Sequence, residues 1–185
     1  MNKRLQQFHG LAVCLAVLHF SPAAHATEAA HVHGSMQLDI AVDKQLLSVQ
    51  LEAPLDSLLG FERHPRSAAE RQAADALLKQ MTDAAALFKP DAAAQCALTT
   101  VSLESAALQA TAPAAGKDAD KKSEHADLDA NYEFNCAHPD KLTVIGIGLF
   151  DAFKRLQKIK VQMASSKGQS KQTLKRPDKL VRLPR

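Results

Sequence analysis

Two histidines one residue apart, His31 and His33, stand just ahead of Gly34 and an alternating run of apolar and polar residues. In an extended chain, residues i and i+2 project from the same side, so the two imidazoles point together. Paired imidazoles are half of what a transition-metal site requires. Other side chains able to donate to a metal are spread along the chain: His64, His125, Asp127 and His138, with Cys96 and Cys136. Asp127 shares a strand face with His125 by the same i+2 rule. It suits either a fourth ligand or a carboxylate that orients an imidazole, and water serves equally well in the fourth position. Each donor also has a plainer reading. His31-Val32-His33 describes a solvated terminal segment, His64 before Pro65 a loop residue, His138-Pro139 a turn, and Glu62 a surface or capping charge.

The compartment decides what the cysteines can do. Lys3 and Arg4 precede a short apolar core from Leu11 to Phe20, and Ala24-His25-Ala26 fits a small-x-small cleavage site. The apolar stretch is too short to span a bilayer, which takes about 20 helical residues. Leu11-Ala12-Val13-Cys14 is a poor lipoprotein signal, because Val13 is not small and almost no apolar core would precede it. Residues 1–26 therefore read as a signal peptide, with a mature chain from Thr27 exported to the periplasm. Cys96 and Cys136 are then its two cysteines. In an oxidising compartment such a pair reads as a disulfide; the rival reading is two thiolate metal ligands.

Charge is unevenly placed. Residues 27–153 hold 19 acidic and 10 basic residues, whereas residues 154–185 hold 11 basic residues and a single acid, Asp178. A segment this basic ordinarily points to nucleic acid. Export argues against that partner, and no aromatic residue interleaves the lysines. A solvated hairpin face that compensates the acidic remainder is one reading; contact with anionic lipid or an acidic partner is the other. Catalytic signatures are missing: there is no Gly-x-Ser-x-Gly elbow, no Gly-rich phosphate loop and no His-Glu-x-x-His helix. A zinc hydrolase would need a general base, for which Glu62 and Glu124 are the candidates. The expectation is that the protein is not an enzyme.

The elements that must position the donors follow from periodicity. Met36–Val42 and Gln45–Ala53 predict two strands joined near Asp43-Lys44, with Met36, Leu38, Ile40 and Val42 on one face and His33 in phase with the polar face. Ser67 with Glu70 three residues on predicts a capped helix over 67–81. A loop over 85–95 and a strand over 96–108 follow. Residues 111–123, rich in Ala, Lys and Asp, have little to bury and read as a flexible linker. Leu128, Ala130, Tyr132, Phe134 and Cys136 alternate strictly, predicting a strand. A short apolar run over 142–147 and a helix near 149–156 come next. Strands over 159–164 and 169–174 flank the turn at Ser165–Gly168, and a last one covers 179–183. Each half opens with a histidine before an alternating strand, a pseudo-repeat in which His33 answers His125.

Taken in order, several short motifs resemble the ZrgA-like family. They are His31-Val32-His33-Gly34, Ile40-Ala41-Val42-Asp43, and Leu51-Glu52-Ala53-Pro54 through Leu59-Gly60-Phe61-Glu62. Phe88-Lys89-Pro90 ahead of Cys96, His125-Ala126-Asp127 and Tyr132-Glu133-Phe134-Asn135-Cys136 complete the set. The resemblance covers nearly the whole mature chain. It implies a periplasmic zinc-binding protein made under zinc limitation, assisting a high-affinity zinc ABC importer. Two departures stand out. Members often carry a histidine-rich stretch between the halves, yet residues 111–123 contain no histidine; and Arg63 stands where the family places a histidine after Gly-Phe-Glu, with His64 one later.

The combined expectation is an α+β protein of two similar small lobes, 27–110 and 124–185, each of antiparallel strands with a packed helix. The linker and a Cys96–Cys136 disulfide join them. Zinc is bound mainly by His31, His33 and His125, with Asp127 and, less directly, His64. The expected partners are the zinc ion and the periplasmic zinc-binding component of the importer, with no nucleic acid and no transmembrane segment. The alternative is a structural or interaction protein whose metal binding is incidental.

Overall fold

The computed structural model describes residues 33–109 and 126–184. The expected signal peptide, the 111–123 linker, His31 and His125 lie outside the described residues.

Period-two alternation builds the first layer. Strands β1 (Ser35–Asp43) and β2 (Leu46–Pro54) form an antiparallel hairpin whose turn holds Lys44 at φ 53°. On the far side of β2 lies β5 (Asp127–Cys136), followed outward by β4 (Cys96–Glu104). On the far side of β1 lies β7 (Lys158–Ser165), and its hairpin mate β8 (Gly168–Lys175) ends the sheet. The order is β4-β5-β2-β1-β7-β8, antiparallel throughout except for the β1–β7 pair.

One face of this six-stranded sheet is apolar: Leu38, Leu47, Val49, Leu51, Leu128, Tyr132, Ile159 and Val161 are all essentially inaccessible to water. The second layer covers it. It contains a three-stranded antiparallel sheet of β3 (Phe88–Pro90), β6 (Val144–Ile147) and β9 (Leu180–Arg182). Short helices α1 (Leu55–Leu58), α3 (Ala84–Leu87) and α4 (Leu149–Ala152), the longer α2 (Ala68–Thr82) and two single 3-10 turns, Ala92–Ala94 and Pro139–Lys141, lie between the strands. Tyr132 joins the layers: its ring meets Phe88 edge-on at 4.8 Å, and its hydroxyl donates to the Met81 carbonyl at 2.8 Å. That carbonyl lies in the last turn of α2, where no helical donor remains for it. At the other end of α2, Ser67 and Glu70 form the reciprocal capping box.

The protein is thus α+β, with Cys96 and Cys136 directly opposite in the β4–β5 ladder and joined as a disulfide. Both stretches expected as lobes contribute strands to each sheet, and the described residues belong to one compact unit. The 85–95 loop contains α3 and β3, because Leu87 and Phe88 are drawn into the core. The helix expected to reach 156 stops at Ala152. Beyond it the Arg176 guanidinium takes the carbonyls of Phe150, Phe153 and Leu156 at 2.6, 2.9 and 3.0 Å.

Candidate metal centre

His33 stands at one end of the six-stranded sheet, held by its neighbour Gly34. Gly34 has φ +71°, and a Cβ there would lie 3.2 Å from the Arg155 carbonyl, so both conformation and space call for glycine. Its own carbonyl accepts from Gln157 and Lys158 at 2.8 and 3.0 Å, which stitches the start of β1 to the start of β7.

Facing His33 is Asp56, a residue the sequence pattern does not single out. Pro54 ends β2, α1 begins, and Asp56 falls in its first turn. The His33 Nδ1 lies 2.7 Å from Asp56 Oδ2, and the Asp56 side chain is only 14% exposed. Arg155 holds the same aspartate from the other side. Its Nε donates to the Asp56 carbonyl at 2.8 Å and its Nη2 to Oδ1 at 3.2 Å, while the guanidinium covers Gly60. A carboxylate that accepts from Nδ1–H fixes the tautomer and leaves Nε2 with its lone pair free to bind a metal. The His33 side chain is 69% exposed, so Nε2 is open to an arriving ion.

The strand register explains why this end of the sheet gathers donors. β1 and β5 both pair antiparallel with β2, one on each side, so they run in the same direction. Glu52 is opposite Gln37 on one side and Asp129 on the other. Gln37 and Asp129, each four residues past a histidine in the sequence, therefore share one row of the sheet. Asp127, half-buried, is opposite Pro54, and the Ala126 carbonyl accepts from Leu55 N–H at 2.8 Å, one residue from Asp56. Ser105 Oγ donates to the Asp127 carbonyl at 2.7 Å, which ties the end of β4 to the same rim. Asp129, two residues along, has its carboxyl pKa raised by partial burial and by the nearby Asp127 and Glu104 charges.

His64 is held separately. Its Nδ1 donates to the Ala107 carbonyl at 2.8 Å, just beyond β4. The preceding Arg63 stacks over Phe61 and forks onto Glu70 at 2.8 and 2.9 Å. That fork, with the Arg66 and Ser67 amides, lowers the Glu70 carboxyl to about 2. His138 lies past the opposite end of β5, its amide bonded to Ala94, and does not join the others. The disulfide removes Cys96 and Cys136 from the donor set. Among the described residues no three His, Cys, Asp or Glu side chains come together closely enough to hold a metal. Those residues supply His33, its orienting carboxylate, and the strand starts that lead into residues 31 and 125.

No described helix is long and apolar enough to cross a membrane. A family model described as ZrgA family zinc uptake protein matches residues 30–183. No curated protein matches the chain.

Proposed function

The chain belongs to the ZrgA family of zinc uptake proteins, and on that premise we propose that it captures zinc in the periplasm and hands it to a high-affinity zinc ABC importer. His31, His33 and His125 are the ligands in this reading, with Asp127 or water fourth, His64 as a lesser donor, and Asp56 as the carboxylate that orients His33. The observation that carries it is the 2.7 Å contact between His33 Nδ1 and Asp56 Oδ2. A carboxylate partner on the second ring nitrogen is what a ligating histidine ordinarily has, and Asp56, 14% exposed, supplies one. The residues present suit zinc, a borderline ion that takes imidazole nitrogen and carboxylate oxygen in a four-coordinate shell. Zinc is cargo here: it is bound and released unchanged, with no bond made or broken in a substrate.

The test is zinc titration against a competing chelator. The wild type should bind tightly, and His31→Ala/His33→Ala and His125→Ala should each weaken binding by at least tenfold, about 1.4 kcal/mol. Undiminished binding by the double variant would eliminate this site. No tight binding by the wild type would favour the interaction-protein reading. Cell fractionation tests the compartment separately.

A further inference from the structure

The polar face of the six-stranded sheet is left uncovered by the second layer, and its charges are sorted by strand. One row crosses the sheet as Glu104, Asp129, Glu52, Gln37, Lys160 and Thr173. The next reads Ser102, Asn131, Gln50, Asp39, Gln162 and Lys171. Acid gathers on β4 and β5, and lysine on β7 and β8. Lys160 and Lys171 are exposed and make no ion pair among the described residues. Asp129 is directly opposite Glu104 in the β4–β5 ladder, a carboxylate like itself. Strands β5 and β7 are three positions apart, about 14 Å at ~4.8 Å per strand, so the two patches do not neutralise each other within one chain.

We propose that this face is the interface of a homodimer, two copies stacked face to face about a two-fold axis parallel to the strands between β2 and β1. Such an axis reverses the strand order while keeping each row in place. Asp129 then faces the second copy's Lys160, and Lys171 lies one row from the second copy's Glu104. In the following row, the exposed Glu133 faces the second copy's Ala164. Ala164 helps to floor a depression of about 670 Å³ lined by Lys171 and, on its β1 side, Asp39, so Glu133 projects into a recess that offers it one cation, Lys171. Because the contact is isologous, each charge pair occurs twice. Six strands of about eight residues cover roughly 700 Å² per copy, near the ~800 Å² per partner of a standard specific interface. The row at the sheet end bearing His33 stays open, and both rims point the same way.

The experiment uses the purified chain from Thr27, sized by sedimentation equilibrium and light scattering across concentration and salt. The wild type should dimerise, with a dissociation constant that rises on the order of tenfold between ~0.02 and ~0.3 M salt. Lys160→Glu/Lys171→Glu and Asp129→Lys/Glu133→Lys should each be monomeric with unchanged circular dichroism. Their equimolar mixture should form a heterodimer, and all four changes in one chain should restore self-association. A wild type that stays monomeric at concentrations on the order of 100 μM overturns the proposal, as does a dimer that either reversal leaves intact. Salt dependence of the unaltered chain decides the matter even if a reversed variant does not fold.

Discussion

Replacing Asp56 with alanine should weaken zinc binding without dismantling the fold. Asp56 touches the proposed ligand His33 only through Nδ1, so the effect acts on ring orientation and basicity. Loss of such an outer carboxylate ordinarily costs about 10–100-fold in metal affinity, or ~1.4–2.8 kcal/mol. Two features set the expectation within that range. The bond is short and the carboxylate is only 14% exposed, which strengthens its hold on the ring. Against that, Arg155 shares the same carboxylate through Oδ1 and draws off part of its charge. The lower half of the range, about 10–30-fold, is therefore expected. Asp56→Asn keeps an acceptor in place and should lose only a few-fold, since geometry survives while charge does not. The assay is chelator competition at constant pH, with thermal unfolding of each apo-protein recorded alongside. Asp151→Ala, which breaks another carboxylate–cation pair, with Lys179, serves as the control and should bind zinc as the wild type does. An Asp56→Ala affinity within twofold of wild type would refute the orienting role. Equal weakening by Asp151→Ala would refute its specificity.

Three further outcomes follow from the packing. Tyr132→Phe removes the hydroxyl that donates to the Met81 carbonyl in a fully buried setting and should lower unfolding free energy by about 1–3 kcal/mol in a urea titration. Gly148→Ala should destabilise by about 1–3 kcal/mol or more, because the added Cβ would lie 2.1 Å from the Ala86 carbonyl oxygen and backbone must move; a neutral change in melting temperature would contradict it. Glu70 is depressed to about 2 by Arg63 and the α2 cap, so the stability it confers is complete above its unfolded pKa near 4.5 and is lost as pH falls toward 2. Glu70→Gln should flatten the acid limb of a melting-temperature profile over that window, and an unchanged profile would count against the linkage.

Local pattern accounted for the elements whose residues speak for themselves. β1, β2 and β5 follow from strict alternation, α2 from its Ser67–Glu70 box, and the β7–β8 hairpin from its apolar parity around Gly168. β3 escaped because three residues ending in proline carry no period, and Phe88 becomes a strand residue only when Ile147 arrives to pair with it. The parallel β1–β7 pair has no local signal at all, since its partners lie more than 100 residues apart. The same holds for Asp56. Nothing in Pro54-Leu55-Asp56-Ser57 marks a metal site, yet counting back along the β1–β2 hairpin register from its two-residue turn brings residue 56 to residue 33. The disulfide was legible as one of two readings, and the directly opposed positions of Cys96 and Cys136 select it.

The interleaved strand order also governs how the chain can fold. β2 has β1 as one neighbour but waits for β5 for the other, and β1 in turn waits for β7. No N-terminal portion can close the sheet alone, and the Met36–Ile159 and Val49–Tyr132 pairings require long loops to close before they contribute. Such a topology of distant contacts folds slowly, in the range of about milliseconds to seconds. Until residues near 127 emerge, the growing chain has only the β1–β2 hairpin of its large sheet to form, and β7 and β8 join last. A nascent polypeptide of this design cannot complete its sheet until its last strands are free.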